Sequence, residues 1–157
     1  MTGRLARLFF LTALVTALAA ASGAAADIDA AAMTYQLPAQ IPWRDSLTNP
    51  GVKQAVLYGD PSKPGPYIQR VKWLPGHMSR PHFHPNDRFI VVLSGTWWAG
   101  TGEKFDPDST VPLPAGSFVT HYGGKVHYDG AKDEEVVLQI HGIGPATSTP
   151  VPGARKD

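Results

Sequence analysis

Past residue 26 this chain never runs far without a breaker. It carries 15 Pro and 16 Gly, and only Gly3 and Gly23 lie before residue 27. Between the breakers stand short β-branched and aromatic runs at 53–58, 67–74, 82–84, 89–93, 96–99, 117–121, 126–128 and 135–143. Residues 67–74 separate by parity into Tyr67/Gln69/Val71/Trp73 and Ile68/Arg70/Lys72, the period of a half-buried strand. Ser94-Gly95 sits between two apolar runs as a hairpin turn. Pro and Gly at this density leave no room for long helices. Eight short strands without helices between them predict an all-β antiparallel sandwich or small barrel.

The length, 157 residues, supports one domain with a modest core. Charge is nearly balanced, 14 Lys+Arg against 13 Asp+Glu. A nucleic-acid partner is therefore not expected, since it calls for a basic face. With no cysteine, disulfides, thiolate metal sites, iron–sulfur clusters and thiol catalysis are excluded. No Ser-His-Asp pattern or phosphate-binding loop is present.

Residues 1–26 read as an address. Arg4 and Arg7 precede an apolar run over 8–21, and Ala24-Ala25-Ala26 follows as a small-residue cleavage site. That order is a secretory signal peptide, and the run is short for a membrane span. The expected organisation is a signal peptide at 1–26, an arm at 27–51, a barrel at 52–144 and a loose, proline-bearing tail at 145–157. The mature protein is expected in the periplasm or outside the cell, with no stable membrane anchor after cleavage.

His82 and His84 are two apart, so on a strand both side chains point to one face, close enough to chelate one ion. Gly76 precedes His82 by six, and Gly95 follows Arg88 by seven. A second cluster holds Gly116, Gly124 and His127. These spacings resemble the two motifs of the cupin superfamily, G-x5-H-x-H-x3-4-E-x6-G and G-x5-P-x-G-x2-H-x3-N. The chain departs from them at Arg88 for the glutamate, Tyr122 for the proline and Ala131 for the asparagine. The resemblance implies a single antiparallel double-stranded β-helix, or jelly-roll barrel. It also implies that His82, His84 and His127 are ligands of a divalent transition metal: Fe, Zn, Mn or Ni.

Arg88 cannot replace the carboxylate, because a guanidinium has no lone pair to give. Three arrangements stay open: an outward Arg88 paired with an acid such as Asp87, an inward Arg88 that binds an anionic substrate, or Asp87 in the ligand position. A carboxylate partner or the cavity rim is the expectation. His121 and Tyr122 are the candidate catalytic acid/base groups. On the last strand either Gln139 and His141 or Val136/Leu138/Ile140 face the cavity. The apolar set suits packing between sheets, so Gln139 and His141 join Arg88 as candidate substrate-binding residues. Trp73, Phe83, Phe89, Phe118 and Tyr128 are expected in the core.

Two functional classes follow. One is an exported cupin-type enzyme, with an Fe(II)-dependent dioxygenase foremost and a Zn- or Mn-dependent isomerase or lyase beside it. The other is a non-catalytic module that binds a small molecule or a metal. A small-molecule ligand is the expected partner in both, and a homodimer is compatible with either.

Overall fold

The computed structural model describes residues 27–152; the signal-peptide reading lies outside them. Residues 27–35 hold a turn in which the amides of Ala32 and Met33 donate to the Asp29 carbonyl. All else concerns residues 36–152.

Eleven strands follow in order: β1 (Arg44–Asp45), β2 (Val52–Tyr58), β3 (Gly65–Trp73), β4 (His82–Phe83), β5 (Arg88–Ser94), β6 (Thr96–Thr101), β7 (Val111–Pro114), β8 (Phe118–His121), β9 (His127–Gly130), β10 (Val136–Gly144) and β11 (Thr149–Pro150). They form a six-stranded sheet, β1-β2-β3-β10-β5-β8, and a five-stranded sheet, β11-β4-β9-β6-β7. Every recorded pairing is antiparallel. Among the described residues no helix is long and apolar enough to cross a membrane.

The alternation in β3 holds: Tyr67, Gln69, Val71 and Trp73 are buried. They meet Ile90, Val92, Trp97, Val136, Leu138 and Ile140 in one core. Burying such side chains is worth roughly 1.5–3 kcal/mol each. At the β5–β6 hairpin Gly95 has φ +73°, a left-handed turn that suits glycine, and a Cβ there would collide with the Glu135 carbonyl.

Two aromatic expectations fail. Phe89 and Phe118 are exposed, and their rings stack on each other at 6.5 Å outside the barrel. Phe89 alternates with Arg88, Ile90 and Val92, which face the interior, so strand alternation turns it outward. The tail also differs from the loose segment expected: β11 pairs with β4, and Val151 N bonds the Pro81 carbonyl. Strand β7 was hidden by its prolines, which an edge strand tolerates because it has a side without ladder partners.

Candidate metal centre

His82 and His127 face each other across the β4–β9 pairing. His84 follows just beyond β4. Their ring centroids lie 4.9, 4.5 and 5.3 Å apart. One nitrogen from each ring lies within 4.8 Å of the others. The three histidines that the motif resemblance implied therefore converge.

Each Nδ1 is bound to a backbone carbonyl. His82 uses Arg80 at 2.7 Å, His84 uses Thr147 at 2.8 Å and His127 uses Lys125 at 3.0 Å. A carbonyl only accepts, so each Nδ1 carries the proton and each Nε2 keeps its lone pair. The Nε2 atoms of His84 and His127 are buried with no hydrogen-bond partner. Burial, with the charge of Arg88 adding to it, pushes the His84 imidazole down to about 3. Burial pushes His127 down to about 4 against the opposing pull of Asp129. These two rings are thus neutral at pH 7.

Asp129, two residues after His127 and on the same strand face, is also buried. Its Oδ2 lies 3.9 Å from the His127 Nε2. Among the described residues no donor bonds its carboxylate. A carboxylate facing an imidazole lone pair is electrostatically unfavourable without a cation near both, and the charge of Arg88 reaches both groups. Sequence reading missed Asp129; the i, i+2 spacing from His127 was the available signal.

On the six-stranded sheet Arg88 is directly opposite His121. Arg88 points inward, with Nη2 3.1 Å from His121 Nδ1. A guanidinium only donates, so this Nδ1 accepts and the His121 proton sits on Nε2. Burial and the neighbouring His127 hold the His121 pKa far below the ordinary imidazole range. The His121 ring lies 3.8 Å from that of His127. The carboxylate partner expected for Arg88 is corrected: among the described residues none comes within salt-bridge distance, and Asp87 instead accepts from Gly123 N at 2.7 Å.

Three further candidates fall outside the cavity. Tyr122 is 63% exposed at the turn before Gly123-Gly124 and does not line the cavity. Gln139 and His141 lie on the outer face, where Gln139 accepts from Arg70 at 3.2 Å and its Nε2 lies 3.1 Å from His141 Nε2. The reverse set, Leu138 and Ile140, lines the cavity, because the space between the sheets is walled mainly by apolar side chains. That cavity holds about 850 Å³ and is also lined by His82, His84, Arg88, Trp97 and Asp129.

The donor set fits a divalent transition ion: three imidazoles whose Nδ1 atoms are held by carbonyls, leaving Nε2 to bind, and a carboxylate alongside. The fold is the cupin double-stranded β-helix. No family model matches the chain, and no curated protein matches it in sequence. Solved structures do. The polyketide cyclase RemF from Streptomyces resistomycificus is similar with a TM-score of 0.63 at 15% identity, over 76% of this chain and 85% of that one. A cupin-2 domain protein of Rhodospirillum rubrum gives 0.58 at 17%, over 78% and 82%. A double-stranded β-helix domain protein of Klebsiella pneumoniae gives 0.53 at 20%, over 72% and 90%.

Proposed function

We propose that this protein is an exported, metal-dependent enzyme that moves a proton on a small organic substrate, in the manner of an isomerase, lyase or cyclase. The observation that carries the reading is the pair of buried, unpartnered Nε2 atoms on His84 and His127, converging with His82, with the Asp129 carboxylate 3.9 Å from the His127 Nε2. With His82 they would hold a divalent ion, Zn, Mn, Fe or Ni. Such an ion supplies a Lewis acid that polarises a carbonyl oxygen.

Asp129 is the proton acceptor. Its carboxylate is buried, free of side-chain donors and on the wall shared with His127. A positioned base of this kind contributes about 10²–10⁴-fold. Leu138, Ile140, Val71 and Trp73 line the same cavity and give it an apolar wall beside these groups. Asp129, buried in the cavity beside His127, supports proton-transfer chemistry. Fe(II)-dependent oxygenation uses the same three imidazoles and is the competing outcome. Export rests on Arg4, Arg7, the apolar run and Ala24-Ala25-Ala26.

Elemental analysis of the freshly purified mature protein is the test. One equivalent of a divalent metal, lost in His82→Ala and His127→Ala, is expected. Turnover that persists without oxygen supports proton transfer, and substrate-dependent oxygen uptake replaces it with oxygenation. Metal below stoichiometry under every loading condition overturns the proposal. An N-terminus near Asp27 checks export.

A further inference from the structure

The cavity has a second chemical feature that the metal reading does not use. Arg88 Nε and Trp97 Nε1 are both buried N–H donors without an acceptor. Trp97 is 1% exposed, and both residues line the cavity. Both residues neighbour His121: Arg88 Nη2 bonds His121 Nδ1, and the Trp97 and His121 rings are 5.3 Å apart. No carboxylate of the described residues lies within 4.0 Å of Arg88. The buried Tyr67 hydroxyl faces Arg88 closely enough to interact with its guanidinium, and the charge of Asp129 acts on Arg88 from beyond 4.0 Å.

A guanidinium with an unpartnered Nε–H and an indole N–H without an acceptor are complementary to an anionic oxygen group. The rest of the lining decides what carries that group. Val71, Trp73, Ile90, Leu138 and Ile140 give it an apolar stretch, while Gln69, Ser79 and Thr147 add polar contacts, so the lining suits a body with both apolar and polar parts. We infer that Arg88 and Trp97 bind the carboxylate of a small organic acid and so orient it within the cavity. The inference rests on the proposed function only in taking that acid as the substrate, whose other end then meets His82, His84, His127 and Asp129. His121 is a positioning residue: it takes one Arg88 donor and leaves Nε free for the ligand.

The test is calorimetric titration of the chelator-stripped protein and of the metal-loaded protein with benzoate and with benzamide, its neutral counterpart. Wild type is expected to prefer benzoate by about tenfold or more in both forms. Arg88→Met should abolish the preference, Arg88→Lys should keep part of it, and Trp97→Phe should lower it severalfold. The two milder variants keep the charge or the ring, so a misfolded Arg88→Met does not decide the matter. No benzoate binding at millimolar concentration, an equal affinity for benzamide, or a preference that survives in Arg88→Met overturns the inference. So does a preference that vanishes when metal is stripped, because the anion was then on the ion. Failure to bind metal, with the preference intact, sinks the proposed function and leaves the anion site standing.

Discussion

The five-stranded sheet and its β4 extension bring His82, His84 and His127 to the cavity with Nδ1 turned to carbonyls. The six-stranded sheet brings His121 with Nδ1 turned to a guanidinium. The residue type is the same, yet one wall offers lone pairs and the other holds its proton on Nε2. The difference lies in the partner of a single nitrogen: a carbonyl fixes one tautomer and a guanidinium the other. Ligand function in this barrel therefore belongs to the second contact of each ring as much as to the ring itself.

The comparison breaks most readily at His84. His84→Ala should lower metal affinity on the order of a hundredfold or more, whereas His121→Gln should leave it within a few-fold, as read by metal titration. Next is Asp129→Asn, which should cut turnover by roughly 10²-fold while metal content stays near one equivalent. Loss of metal in that variant would make Asp129 a ligand instead of a base. Deleting residues 145–157 removes the Thr147 carbonyl and should weaken metal binding about tenfold.

Acid sharpens the contrast in a smaller way. In the metal-stripped protein His84 and His127 accept a proton only near 3 and 4, while in the unfolded chain they accept it near the ordinary 6.5. The unfolded state then binds more protons over that interval, so stability is full above about pH 6.5 and falls as pH drops toward 4. The loss should reach about 1 kcal/mol per pH unit for each ring, measured by urea unfolding at pH 7 and pH 5. His121→Gln should flatten part of that slope and spare metal binding; His84→Gln should affect both. Smallest of all, Gln139→Ala and His141→Ala on the outer face should change stability by about 0.5 kcal/mol or less and leave metal binding and turnover intact.

Much of this was legible in the residues. Turn spacing marks the strands, and the glycine and histidine intervals place His82, His84 and His127 together. Arg88 follows His84 by four and does face inward, despite Pro85 between them. What escaped depends on which sheet face bounds the cavity, and polarity was a poor guide to that. The Leu138/Ile140 face lines it, while Gln139 finds Arg70 outside. Tyr122 could not be placed without the turn geometry: Gly124 N bonds the His84 carbonyl, and a Cβ on Gly123 would press on Pro85 at 2.6 Å. Asp129 went unseen because the family pattern marks no acid there, although its parity with His127 was plain.

The three carbonyls that fix the imidazoles differ in when they become available. Those of Arg80 and Lys125 lie two residues before their histidines, so they travel with the local backbone. The third, Thr147, lies 63 residues beyond His84 and arrives only when β11 closes onto β4. Two of the rings are therefore oriented by contacts within their own stretch of backbone, and the third is oriented only through a contact 63 residues away, so the tautomer of His84 is coupled to the docking of β11 in a way that those of His82 and His127 are not.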